Sequence, residues 1–151
     1  MEVNMRISAK CRYGLAAMVF IAKNTNPNEC ITIISISEKL EISKIYLEQV
    51  FSLLKRSGLV NSIKGSQGGY QLATSPDKIT VGEIMRAIEL NMFEKTERAV
   101  ADSSIAIDKS METLIWDRLN TSITSVIDSV TLQELVNEAD KNDDGNLMFY
   151  I

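Results

Sequence analysis

The 151-residue chain contains no histidine. That removes Ser-His-Asp and Cys-His nucleophile pairs, the commonest metal ligand and the usual proton shuttle of neutral pH. Cysteine is almost as scarce. Cys11 and Cys30 are the only two, too few for a disulfide framework, so a reducing cytoplasmic setting is expected. Long apolar runs are missing too. Residues 15–22, with Arg6, Lys10 and Arg12 ahead of them, imitate a signal peptide. The run is short, no small-residue cleavage site follows it, and Lys23-Asn24 ends it. It is also too short to span a bilayer. With these absences, neither enzymatic activity nor a cofactor or metal is expected.

The composition that remains is 45% apolar and 24% charged, which describes a globular rather than a disordered chain. Its length suits one domain, or a small domain with an oligomerisation element. The net charge of −4 conceals a division. Residues 1–80 hold ten Lys/Arg against six Asp/Glu, and residues 81–151 hold six against fourteen. A basic front half joined to an acidic back half assigns any phosphate contact to the front.

Residues 43–73 organise the front half. Leu47, Val50, Phe51 and Leu54 fall at i, i+3, i+4 and i+7, which predicts a helix with one apolar stripe. Ser43 is placed to cap it and Gly58 to stop it. Residues 59–63 and 70–73 read as two short strands. Between them Lys64-Gly65-Ser66-Gln67-Gly68-Gly69 supplies the glycines of a tight, basic hairpin tip. Opposite the stripe stand Ile45, Gln49, Ser52 and Arg56, flanked by Tyr46, Glu48 and Lys55. Such a face suits base edges in a major groove. The alternative is a solvated helix followed by an ordinary hairpin.

Upstream, Tyr13, Leu15, Ala16, Val19, Phe20 and Ala22 predict a mostly apolar helix from Ser8 to about Asn24, broken by Asn26-Pro27-Asn28. Ile31-Thr32-Ile33 reads as a minimal strand able to pair with the hairpin. Ser35-x-x-Glu38 spells a capping box for a short helix through Leu40. Two helices joined so briefly have helix-turn-helix spacing.

Downstream, Thr80-x-x-Glu83 opens a helix to about Leu90, and residues 91–108 show no clear period. From about Lys109 to Ser129, Met111, Leu114, Ile115, Leu119, Ile123, Val126 and Ile127 hold helical spacing too long for a small core to bury. This reads as a dimerisation helix. A helix folded back on its own domain is the alternative. Thr131-x-x-Glu134 caps a last short helix. In the tail, Asp140, Asn142, Asp144 and Gly145 occupy calcium-loop positions one, three, five and six, but position twelve is Ile151 rather than Glu. An acidic solvated linker explains them better. The apolar end, Leu147 to Ile151, is suited either to packing on its own dimer or to presentation to a partner. Tyr13, Tyr70 and Trp116 are expected in the core, and both cysteines are expected to be inert.

Four separated motifs resemble the Rrf-type bacterial transcription regulators: Ser8-Ala9-Lys10-Cys11-Arg12-Tyr13-Gly14-Leu15, Tyr46-Leu47-Glu48-Gln49, Ser57-Gly58-Leu59-Val60 and Lys64-Gly65-x-x-Gly68-Gly69-Tyr70-x-Leu72. The resemblance implies a mainly α protein with a small β wing. A winged helix-turn-helix would span residues 5–78, a helical dimerisation region 79–137, and an acidic flexible tail with an apolar end 138–151. It implies a cytoplasmic homodimer on a palindromic operator in double-stranded DNA. Cluster-binding branches carry three cysteines in the segment matching 91–109, where this chain has neither cysteine nor histidine, so an iron–sulfur centre is not expected.

The likeness is nearest to the cluster-free repressors of cysteine metabolism, which also end in Met-Phe-Tyr-Ile. It implies that Ser43, Lys44, Ile45, Tyr46, Glu48 and Gln49 face bases and adjoining phosphates. Ser8, Lys10, Arg12 and Lys55, with Lys64, Gly65, Ser66 and Gly69 of the wing, would contact backbone or minor groove. It further implies control by O-acetylserine thiol-lyase, an enzyme of cysteine synthesis, with Phe149, Tyr150 and Ile151 entering that partner's active site as a peptide mimic. The alternative is a cluster-free regulator answering to another effector or to thiol oxidation.

Overall fold

Ser8 opens the first helix, its hydroxyl accepting from the Cys11 amide at 3.1 Å. In the computed structural model, which describes residues 6–65, 68–92 and 94–149, this helix is α1, Ala9–Asn24. Next come α2, Ile33–Leu40, and α3, Lys44–Arg56. The α2–α3 turn is three residues, made possible by Glu41 in the left-handed region at φ 54° and clamped where the Ser37 hydroxyl donates to the Ile42 carbonyl at 2.6 Å. At the end of α3, Gly58 adopts φ 76°, and the amides of Gly58 and Leu59 donate to the carbonyls of Lys55 and Leu54, both at 3.0 Å. This is the double bond pattern that halts a helix at a left-handed glycine.

The wing is a two-stranded antiparallel sheet of β1, Val60–Ile63, and β2, Gly69–Leu72, with Val60 opposite Leu72 and Ile63 opposite Gly69. The strand expected at residues 31–33 is a single bridge. Ile31 exchanges both backbone hydrogen bonds with Tyr70, at 2.9 and 2.8 Å, and the chain then turns helical at Ile33. The cap of α2 is Thr32, which accepts from the Ser35 amide at 3.1 Å, and not Ser35 as its spelling predicts.

One buried cluster joins α1, α2, α3, β1 and α4 (Val81–Ile88): Met18, Ile21, Ile36, Leu47, Phe51, Leu54, Ile84 and Ile88 are all buried. Gly14 lets these helices close up. A Cβ there would lie 2.2 Å from Ile88 Cδ1 and 3.0 Å from Val50 Cγ1. Thr80 caps α4 from the expected position, accepting from the Glu83 amide at 3.1 Å. The core continues beyond the wing. Leu132 N donates to Ile79 O at 2.8 Å and Val81 N to Val130 O at 2.9 Å, and Leu132 is fully buried.

The long rear helix consists of α5, Ile105–Met111, a π-helical segment, Glu112–Trp116, and α6, Asp117–Ile127. In the π segment the Asp117 amide reaches back five residues to Glu112 O. This local widening shifts the apolar stripe around the helix axis, so one regular period does not describe it. Trp116, expected in the core, is 38% exposed.

The last helix departs most from expectation. Instead of a short helix and a flexible acidic tail, α7 runs continuously over Leu132–Phe149. Its capping box is complete: Glu134 N donates to Thr131 Oγ1 at 3.1 Å, and Thr131 N donates to Glu134 Oε2 at 2.8 Å. Lys23, in the last turn of α1, pairs with Asp143 and with Asp140 (3.6 Å), which holds α7 along α1. Residues 140–145 are therefore helical, not wrapped as a calcium loop requires.

Candidate nucleic-acid interface

The apolar stripe of α3 (Leu47, Val50, Phe51, Leu54) is fully buried, which turns the opposite face outward. Ser43, Lys44, Ile45, Tyr46, Glu48, Gln49, Ser52, Lys55 and Arg56 are all exposed. Ile45 is 68% exposed, too much for an isoleucine held for packing. Ser43, exposed, begins α3 without a side-chain capping bond, which leaves the first α3 amides at the positive end of the helix without its hydroxyl. Lys44 and Glu48 form an exposed i, i+4 pair at 3.8 Å. Tyr13, half-buried, meets Tyr46 edge-on at 5.7 Å between centroids, and Tyr70 packs on Phe51 at 4.7 Å. Tyr13 thus orients Tyr46, and Tyr70 ties the wing to α3.

Lys64 and Gly65 are exposed at the wing tip, and Gly65 has φ 121°. Ser66 lies outside the described residues. Gly69 is engaged in the fold: its φ is 159°, and a Cβ there would stand 2.4 Å from the Ile31 carbonyl oxygen. Lys55 sits eleven residues beyond Lys44, roughly 17 Å along the helix.

The front of α1 divides differently. The Ser8 hydroxyl caps α1 and donates to Glu89, so it is occupied within the fold. Arg12 donates from Nε to the Ile7 carbonyl at 3.2 Å. It also lines, with Arg6, a groove of about 1390 Å³ between the start of α1 and α6, whose apolar wall includes Leu15, Met85, Leu119 and Val126. Lys10 is half-buried. Of the dimerisation set, Leu114, Ile115, Leu119 and Val126 are exposed and Met111 and Ile123 half-buried.

Residues 91–108, featureless as sequence, are held by ionic contacts. Asp108 accepts from the amides of Ala99 (3.0 Å) and Val100 (3.4 Å) and faces Arg98 at 3.5 Å. These amides hold its carboxyl below the usual range, with Arg98 assisting. Arg98 also pairs with Asp102 at 2.5 Å, and Lys95 with Glu112 at 3.8 Å. Only the i, i+4 spacing of Arg98 and Asp102 signals this in the sequence. Burial, with the Glu89 carboxylate beside it, pushes the Cys11 thiol up to about 11, so Cys11 carries no thiolate at neutral pH.

Comparison with known proteins places this geometry. The family described as "Rrf2: Iron-dependent Transcriptional regulator" matches residues 7–138. The HTH-type transcriptional regulator CymR of Bacillus subtilis is 36% identical over 97% of this chain and 100% of its own. The HTH-type transcriptional regulator IscR of Escherichia coli is 35% identical over 88% of this chain and 81% of its own. Among solved structures, that of CymR (YrzC), the global cysteine regulator of B. subtilis, superposes with a TM-score of 0.72 at 33% identity, covering 89% of this chain and 98% of that one. IscR of T. potens superposes at 0.69 with 31% identity, covering 92% and 91%. Among the described residues no group of three or more His, Cys, Asp or Glu side chains is placed to hold the iron of the family's description. The chain has no histidine, and its cysteines stand inside α1 and just ahead of the Ile31 bridge, outside residues 91–109.

Proposed function

The chain belongs to the Rrf2 family of transcriptional regulators, and on that premise we propose that it acts as a homodimeric repressor of genes for cysteine and sulfur metabolism. Its relatives are regulators, not enzymes. The observation that carries the reading is the outward face of α3. Ser43, Lys44, Ile45, Tyr46, Glu48 and Gln49 stand exposed at the open N-terminal end of a helix whose other side is fully buried, with the basic wing tip following in the same unit. In this reading Gln49 pairs bidentately with adenine, Glu48 accepts from cytosine N4, and Ile45 packs on a thymine methyl. Lys55 and Lys64 contact phosphate or the minor groove.

A second copy supplies the missing wall of the groove beside α6 and covers Leu114, Ile115, Leu119 and Val126. This sets two α3 helices on the halves of a palindrome. The effector is O-acetylserine thiol-lyase, whose active site takes the C-terminal Ile151 and its carboxylate, with Tyr150 and Phe149 at the rim. Phe149 closes α7, while Tyr150 and Ile151 lie outside the described residues. Resemblance to CymR along nearly the whole chain supports the sulfur assignment.

Footprinting of the chain's own upstream region tests this, with and without the thiol-lyase and with a chain lacking its last four residues. A symmetrical protected site is expected, altered by the enzyme for the full chain and indifferent to it for the truncated one. Enzyme sensitivity that survives truncation overturns the role of the tail, and protection of random duplex alone overturns the operator.

A further inference from the structure

The last turns of α7 are a poor helix by their own chemistry. Asn142-Asp143-Asp144-Gly145-Asn146 are all weak helix formers, with glycine the weakest. Asp143 and Asp144 lie toward the negative end of the helix, where carboxylates are disfavoured, and the last turn contains no basic residue to offset them. A helix of this composition needs support from outside. Among the described side chains Lys23 reaches it, and its ammonium pairs with both Asp143 and Asp140, one helical turn apart. Lys23 is itself in the last turn of α1, where a cation is favoured, and these two carboxylates raise its proton affinity further.

We propose that Lys23 is a latch holding the end of α7 in helical form on α1, and that its release lets the C-terminal segment extend for capture by a partner. The proposal rests on the tail-to-active-site reading above. A segment that is helical up to Phe149 is a cylinder about 10 Å wide, whereas the proposed insertion needs extended chain. The docked helix therefore competes with the partner. Affinity for the partner is proportional to the fraction of molecules whose end is undocked, and anything that breaks the two ion pairs raises that fraction. Both pairs are partly solvent-exposed, which keeps the latch weak enough to open.

The test uses the full chain with Lys23→Gln, and with Lys23→Arg as the variant that keeps the charge. Amide hydrogen exchange is followed over residues 138–149, and binding to the thiol-lyase is titrated in parallel. Lys23→Gln is expected to speed exchange there while leaving the amides of α3 as protected as before, and to tighten enzyme binding by about two- to fivefold, the range open to exposed ion pairs. Lys23→Arg is expected to retain slow exchange and parental affinity. Unchanged exchange in Lys23→Gln overturns the latch. Faster exchange without tighter binding, in a chain whose truncation still abolishes binding, overturns its coupling to the partner. A parental chain that never binds the enzyme overturns the functional reading alone, and the exchange data then judge the latch separately.

Discussion

At the scale of single residues, Glu48 is where the proposed function separates base reading from general attraction to DNA. In that reading it is an acid on a face that approaches phosphate, which serves no purpose in a non-specific binder. Among the described residues it pairs with Lys44 at 3.8 Å, an exposed helical pair worth roughly 0.3–0.5 kcal/mol, too weak to keep the carboxylate from a base edge. Removing it should therefore cost discrimination and not grip. Glu48→Ala is expected to lower the preference for the operator over a site altered at one base pair by about 1–3 kcal/mol, with random-duplex affinity equal or slightly higher. Competition titrations against a panel of singly altered operators measure both. An unchanged ranking across the panel would show that Glu48 reads nothing. Ser8 illustrates the opposite case. Its motif marks it for DNA, yet its hydroxyl is occupied by the Cys11 amide and by Glu89.

At the scale of elements, the junction between α4 and the end of α6 depends on Arg86, whose Nη1 and Nη2 donate to the two carboxylate oxygens of Asp128 at 2.6 and 2.9 Å. Gly82 leaves the space, since a Cβ there would lie 2.0 Å from Asp128 Oδ1. The Arg86 guanidinium holds the Asp128 carboxyl below its ordinary 3.8. A depressed folded-state value means that the unfolded chain binds the proton first. The stabilisation is thus complete above 3.8 and is lost as pH falls through the folded value. Asp128→Ala is expected to lower Tm by a small constant amount from pH 8 to about pH 5, the gap closing below about pH 4. Melting curves across that range check it, and a gap that persists undiminished at pH 2.5 would assign the loss to packing instead of charge. Elements whose signals are local were readable from sequence. Thr80 and Thr131 cap where their spacing says, and Gly58 stops α3 where its freedom allows. What could not be read depended on distant partners. Thr32 displaced Ser35 as a cap because the Ile31–Tyr70 bridge fixes the extended approach to α2. The end of α7 spells a solvated linker, yet it is helical and paired with Lys23, 120 positions from Asp143. The same holds for the α3 face, where exposure of Ile45 and Gln49 was legible, while the occupation of Ser8 and Gly69 within the fold was not.

At the scale of the whole molecule, the proposed dimer rests on the rear helix. Residues 105–127 extend roughly 35 Å at helical rise, and they present Leu114, Ile115, Leu119 and Val126 to solvent beside an apolar groove. Exposed apolar side chains beside an apolar groove are what an association site presents, and the proposed dimer uses them. Leu119 is 50% and Val126 62% exposed, so charges placed there leave the protomer's own core intact. Leu119→Asp with Val126→Asp is accordingly expected to halve the mass seen by sedimentation with little change in the helical circular dichroism. The consequence for DNA follows from counting phosphates. A dimer on a palindrome neutralises twice as many as one protomer, and the slope of log affinity against log salt is proportional to that number. The double variant should show about half the parental slope, and its operator affinity should fall by about two orders of magnitude, because the second half-site is no longer bound intramolecularly. A dimeric mass in the variant, or a parental slope retained by a true monomer, would mean that the rear helix does not bring two reading heads to one duplex.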